Sequence, residues 1–311
     1  MLDPRRLRLL IQLQSLGTVR AVAHAAALSP SAVSQQLAAL ERESGTALIE
    51  RHGRSVALTD AGVALAGHAR VILERIDVAE EALRALKDAP EGTVRVSAFT
   101  SAMRAFVIDA AADVARQHPG ISVQLAELEP AENVPALERG DVDLAIVADF
   151  GDGSLPPTPH LRSVPLTRDE LRAVLPLGTH FTGLADLHDA NWLLDGTELE
   201  QHVIRRCRRV GFEPRFAGRL FSHEALLYAV QRGLGVTILP SFVTAPPGTV
   251  QLRPLVPPAF RELFVLHREE ALTRRSVALT LDVLVEAAAA TSANEPVRVT
   301  ERSYEAKATP G

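Results

Sequence analysis

The chain has 311 residues, 47% of them hydrophobic, and a net charge of −5. That length exceeds one typical domain, so a small module joined to a larger one is expected, and the charge argues against a protein coated by nucleic acid over its whole length. No apolar run approaches the ~20 residues needed to cross a bilayer, the charged start from Met1 to Arg8 does not read as a secretory leader, and a single cysteine, Cys207, excludes an internal disulfide or a multi-cysteine zinc site and suits a reducing cytoplasm.

Charge is unevenly distributed. Residues 1–58 hold seven arginines (5, 6, 8, 20, 42, 51, 54) against four acids (Asp3, Glu41, Glu43, Glu50), a surplus of three, which leaves −8 on the remainder. A basic head on an acidic body is the distribution expected of a DNA-reading module attached to a domain with other work. Within the head, Thr18 to Ala27 reads as a short helix. Ser29 and Pro30 then suit the N-cap and first position of a second helix, because a Ser oxygen accepts an orphan N–H and Pro has none to leave unpaired. That helix stops near Gly45. Val33, Leu37 and Leu40 form its apolar stripe, while Ser31, Ser34, Gln35 and Ala38 form another, with hydroxyls and an amide but no acid. Such a face can hydrogen-bond base edges in a major groove. Two short strands follow, around His52-Gly53-Arg54, and make a wing carrying Arg51 and Arg54. Taken alone, the pattern also fits a purely structural three-helix module with a hairpin.

From Thr59, read as an N-cap, to Asp88 the chain is free of Pro and dense in Ala, Leu, Arg and Glu. Leu65, Ala69, Ile72, Ile76, Ala79, Leu83 and Leu86 are spaced alternately by four and three, a coiled-coil seam that suits dimerisation. A single helix packed on its own domain is the alternative. A symmetric dimer would present two reading helices to successive grooves of an interrupted palindrome.

Pro90-Glu91-Gly92 is a hinge by composition. Beyond it the pattern predicts strands over 93–98, 121–128 and 141–147 with helices over 102–117 and 133–139, hence a parallel sheet flanked by helices. A second set follows: strands over 161–165, 171–175, 192–194, 215–220, 235–239 and 263–267, and helices over 198–209, 223–232 and 274–290. Two α/β lobes with crossing connections imply a cleft that closes on a ligand. Residues 291–311, rich in Ala, Thr, Ser, Glu and Pro, read as a disordered tail.

The run GTVRAVAHAAALSPSAVSQQLAALERESGTALIERHGRSVALTDAG, with its closing Leu58-Thr59-Asp60-Ala61-Gly62, resembles the DNA-binding domain of LysR-type transcription regulators. The segments GTVRVSA, QHPGISVQLAE, LERGDVDLAIV and GLGVTILP are similar to the effector domain of the same family, so the resemblance covers about residues 3–290. It implies an N-terminal all-α winged helix-turn-helix (1–58), a long linker helix for dimerisation (59–89), and a C-terminal α/β two-lobed effector domain (90–290) like periplasmic binding proteins in fold. By matching position, Pro30, Ser31, Ser34 and Gln35 would meet bases, and Arg51, Arg54 and Thr59 phosphates. Gln35 stands where many relatives carry Arg, which favours adenine over guanine, and Pro30 replaces a common Gln. Phe99, Thr100, Ser101, Glu129, Asp195, Thr197, Ser222 and His223 would line the effector pocket.

The implied partners are double-stranded promoter DNA, a small effector bearing an amine or a carboxylate, further copies of the chain as dimer or tetramer, and RNA polymerase, with no membrane, metal or cofactor. Thr100 and Ser101 precede a helix and could hold a carboxylate or simply cap it. Asp195, Glu198 and Glu129 bring negative charge that invites an amine, although Asp195 also reads as a cap, and His223 as a plain first-turn polar residue or a titrating one. Cys207 lies among Arg205, Arg206, Arg208 and Arg209, which would acidify an exposed thiol. No nucleophile elbow, P-loop or metal-ligand spacing marks an enzyme, and a chromatin-type structural protein would be more basic.

Overall fold

The computed structural model describes residues 2–52, 55–85, 90–151 and 161–291. The N-terminal unit is α1 (Pro4–Leu16), α2 (Val19–Ala25), α3 (Pro30–Ser44), the hairpin β1 (Ile49–His52) and β2 (Ser55–Leu58), and α4 (Asp60–Ala85). Each helix is bounded by local chemistry. Thr18 Oγ1 accepts from the Ala21 N–H, Ser29 Oγ from the Ala32 N–H at 3.1 Å, and Gly17 and Gly45 close α1 and α3 in the left-handed conformation. Leu7, Leu10, Leu13, Val22, Val33, Leu37, Leu40 and Leu48 are all at most 2% exposed and form one core, each fully buried Leu contributing ~1.5–3 kcal/mol. Between α2 and α3 the chain turns through Ala27 at φ 52, a conformation that disfavours any Cβ.

The linker helix corrects part of the seam reading. Ala66, Ala69 and Leu73 are buried in the N-terminal core, where α4 packs on α1, and Leu65 and Ile76 are half-covered there. Ala69 therefore packs inside its own chain. Ile72 stays 38% exposed, and Val71 and Ala79 are exposed as well. Only the backbone of Leu83 is described, and Leu86 lies outside the described residues, as do residues 292–311 of the expected tail.

The C-terminal body begins with β3 (Gly92–Ala98), followed by α5 (Thr100–Ala102), a π turn (Met103–Val107) and α6 (Ile108–Gln117). Next come β4 (Ile121–Glu127), α7 (Pro130–Arg139), β5 (Leu144–Asp149) and β6 (Leu161–Leu175). The second lobe adds β7 (Asn191–Leu194), α8 (Glu198–Arg209), β8 (Arg215–Arg219), α9 (His223–Gln231) and β9 (Thr237–Pro240). The long β10 (Gln251–Arg268) and α10 (Arg275–Thr291) complete it.

The expected parallel sheet is mixed. Its order is β4-β3-β5-β10-β6-β9, parallel across β4-β3-β5 and antiparallel from β5 to β9. Two predicted fragments, 161–165 and 171–175, are one strand, and β10 starts twelve residues before the strand predicted at Leu263. Pro254, Pro257 and Pro258 hid that extension; they sit at a register shift between Pro254 and Ala259, where a missing ladder donor does least harm. β6 and β10 thus run through both lobes. Central strands bury both faces: on β5, Leu144, Ile146 and Ala148 enter one core and Ala145 and Val147 another. The second lobe repeats this with Leu171, Ala173 and Leu175 in one core and Val174 in the next.

Candidate functional sites

On α3, the apolar stripe faces the core and leaves Pro30, Ser31 and Gln35 exposed, with Ser34 half-buried. Ser31 Oγ lies 2.9 Å from Ser29 Oγ, while Ser34 and Gln35 make no side-chain hydrogen bond among the described residues. These donors and acceptors face outward. The neighbouring Gln36 is engaged elsewhere, accepting from Arg6 Nε at 2.9 Å, and Arg6 also pairs with Glu43. Glu41 was not singled out in the sequence, yet its Oε1 accepts from the Leu48 and Ile49 N–H groups at 2.9 and 3.2 Å and so ties the wing to α3.

In the wing, Arg51 pairs with Val56 across the hairpin through its backbone, and Gly53 and Arg54 lie outside the described residues. Thr59 takes the N-cap role read for it. Its hydroxyl donates to the Ala47 carbonyl at 2.8 Å and accepts from Gly62 N–H at 3.0 Å, so the O–H is engaged inside the chain and caps α4. Gly62 explains the end of the motif: a Cβ there would meet the Leu48 carbonyl oxygen at 2.0 Å.

The cleft between the lobes is assembled from distant segments. Of the eight residues expected to line it, Phe99, Thr100, Ser101, Glu129, Asp195, Thr197 and His223 do so around a cavity of about 40 Å³. Ser222 does not; its Oγ caps α9 by accepting from Ala225 N–H. The 195–197 loop is held by Gly196, at φ 78, whose N–H donates to Glu200 at 2.9 Å, and Glu200 is gripped by Arg219 through Nε and Nη2. That grip holds the Glu200 carboxyl below its ordinary range. Burial first, then the charges of Asp195, Glu127 and Glu132, push Glu129 up. Burial pulls the His223 imidazole down, against the opposing pull of Asp195, which favours its neutral form near pH 7.

Arg261 was missed. It reaches the cavity from β10 at 5% exposure, donates through Nε and Nη2 to Asp169 at 2.9 and 2.7 Å, and donates from Nη2 to Ser101 Oγ at 2.8 Å. Its guanidinium carbon lies 4.8 Å from the Phe99 ring centre. Asp169 also accepts from Ser241 Oγ at 2.6 Å. Arg261 and Asp169 are direct partners in the β10–β6 register. The signal was parity: Ala259, Arg261, Leu263 and Val265 alternate onto one buried side, as do Thr167, Asp169, Leu171 and Ala173.

Cys207 is buried in the second lobe, where desolvation pushes its thiol up to about 12, so the arginines beside it in sequence do not yield a reactive thiolate. A larger cavity of about 760 Å³ lies between α1, α4 and the first lobe. Three of its arginines, Arg95, Arg268 and Arg274, converge on Asp143, which is 2% exposed and bonds Arg274 at 2.8 Å. Among the described residues, no group of three His, Cys, Asp or Glu could hold a metal, and no helix is long and apolar enough to cross a membrane.

Residues 87–289 match the family profile described as LysR substrate binding domain, and residues 4–63 that of the bacterial regulatory helix-turn-helix protein, lysR family. The transcriptional dual regulator GltC of Bacillus subtilis is 27% identical over 71% of this chain and 76% of its own length. A full-length OxyR variant from Pseudomonas aeruginosa superposes with a TM-score of 0.69 at 21% identity, over 92% of this chain and 98% of that one. Full-length CbnR in complex with its target DNA gives 0.61 at 22% identity, over 92% and 100%.

Proposed function

The chain belongs to the LysR family of bacterial transcriptional regulators, and from that premise we propose how its own residues divide the work. As a member, it is a DNA-binding transcription regulator whose promoter binding is modulated by a small effector in the C-terminal domain. It acts as a regulator in the cytoplasm and not as an enzyme. Ser31, Ser34 and Gln35, with Pro30 shaping the helix start, read base edges in the major groove, and Gln35 favours adenine through paired contacts to N6 and N7. Arg51 and Arg54 contact phosphate, and Thr59 supports them by fixing the wing to α4. A dimer joined along the outer face of α4, through Ile72, Ile76, Ala79, Leu83 and Leu86, brings two such faces to an interrupted palindrome, and dimers pair into tetramers that engage RNA polymerase. An effector bearing an amine or a carboxylate enters the cleft and shifts the balance of lobe positions, hence the spacing of the reading heads.

The polar face of α3, which has no acid and whose Ser34 and Gln35 side chains make no hydrogen bond among the described residues, carries this reading. Fluorescence anisotropy on a duplex from the gene's own upstream region tests it. Gln35→Ala should flatten discrimination at one base position by ~1–3 kcal/mol, and an equal loss on every sequence would overturn the role of Gln35.

A further inference from the structure

Two ionic side chains in the cleft are largely buried, and each keeps one polar atom unpaired. Arg261, 5% exposed, uses Nε and Nη2 on Asp169 and Ser101, and its Nη1 has no hydrogen-bond partner among the described residues. Asp195, 7% exposed, accepts from Thr197 N–H on Oδ1 at 3.0 Å and has no donor for Oδ2 among the described residues. Both line the same cavity, close enough to feel each other's charge, yet they form no ion pair together. Neither atom is among the fully enclosed unpaired ones, so both are open to the cavity, where one ligand can complete the two together.

The two ends differ in what they ask for. Asp169 balances the charge of Arg261, so Nη1 offers a directed donor with little net positive charge, and Ser101 Oγ, which accepts from Arg261, keeps its own O–H to give. Asp195 has Glu129 beside it, and the nearest further cation, Arg219, is neutralised by Glu200, so this end presents net negative charge. A dianion is repelled by that end, and a simple amine leaves Nη1 empty. We infer that the effector is a small zwitterion of the α-amino-acid class, its carboxylate on Arg261 Nη1 and the Ser101 hydroxyl, its ammonium on Asp195, and its side chain toward Phe99 and Phe150. This deepens, and rests on, the reading of the cleft as the effector site.

The test is a thermal-shift screen of the full chain against the common L-amino acids, each at about 10 mM, with the deaminated and decarboxylated analogue of every hit. One or a few amino acids should raise the melting temperature by about 5 °C, and neither analogue should. By calorimetry, Asp195→Asn, which keeps the shape, should weaken the hit about thirtyfold or more; Arg261→Lys, which keeps a cation on Asp169 but removes Nη1, should weaken the amino acid as well. A blank screen, an equally effective one-ended analogue, or full affinity in Asp195→Asn overturns the proposal. A one-ended ligand whose binding is lost in Thr100→Val would refute the zwitterion and keep the cleft, whereas a ligand indifferent to Thr100, Asp195 and Arg261 would remove the cleft reading as well.

Discussion

On α3, the polar residues proposed to read DNA are neighbours in sequence on one outward side, exposed except for the half-buried Ser34, whereas in the cleft Arg261, Asp195 and Ser101 come from three separate segments and are largely withdrawn from water, with the exposed Glu129 added from a fourth. The first site asks little of the tertiary structure beyond a helix with its apolar stripe covered. The second exists only when both lobes are folded, and its charged members take part in holding them. Substitutions on α3 should therefore change specificity at little cost in stability, and substitutions around the cleft should change both.

The sharpest way to break that contrast is Asp169→Ala. It strands Arg261, whose side chain is 6% exposed, without its counter-ion, and should cost the effector domain ~3–5 kcal/mol in urea unfolding while the N-terminal unit is unaffected. A loss below ~1 kcal/mol would mean that the pair behaves like a surface one. Gly62→Ala comes next, because its Cβ would meet Leu48 O at 2.0 Å; it should destabilise the N-terminal unit by ~1–3 kcal/mol and weaken DNA affinity without altering base preference. Altered preference would show that the wing, and not only α3, discriminates. Ala27→Gly has the opposite sign: relieving φ 52 should stabilise the same unit by ~1 kcal/mol, and a lower melting temperature would refute the strain.

The smallest effect concerns His223. Burial lowers its pKa in the folded protein, so below the ordinary value of ~6.5 the unfolded chain takes up a proton that the folded one resists. The stability it contributes is fully present above that pH and is lost as pH falls. His223→Gln should flatten the acid side of a melting-temperature profile measured between about pH 7 and pH 5, and an unchanged profile would show that this ring titrates alike in both states.

Legibility followed the same divide. Ser29, Pro30 and Gly45 announced α3 because capping is a contact between near neighbours, and Val33, Leu37 and Leu40 announced its buried side through helical spacing. Seven of eight cleft residues were placed by likeness to a family, not by their own chemistry. Arg261 and Asp169 escaped because a charge inside a strand reads as a solvated position unless its partner on the neighbouring strand is known, and strand pairing is not written locally. The linker seam misplaced Ala69 for a related reason: a four-three spacing identifies an apolar side but not whether α1 or another copy covers it, and Ala69 went to the core that α1 shares.

β6 and β10 are shared by both lobes, and this restricts how the domain can answer a ligand. With no free linker between the halves along these strands, prising them apart must bow two hydrogen-bonded ribbons at once, so the response is that of a leaf spring: small in angle and stiff against shear. The irregular stretch between Pro254 and Ala259 is its softest point. A molecule in the cleft would therefore load this spring more than swing a door, and the stored deflection is available, undissipated, at the far ends of the same two ribbons.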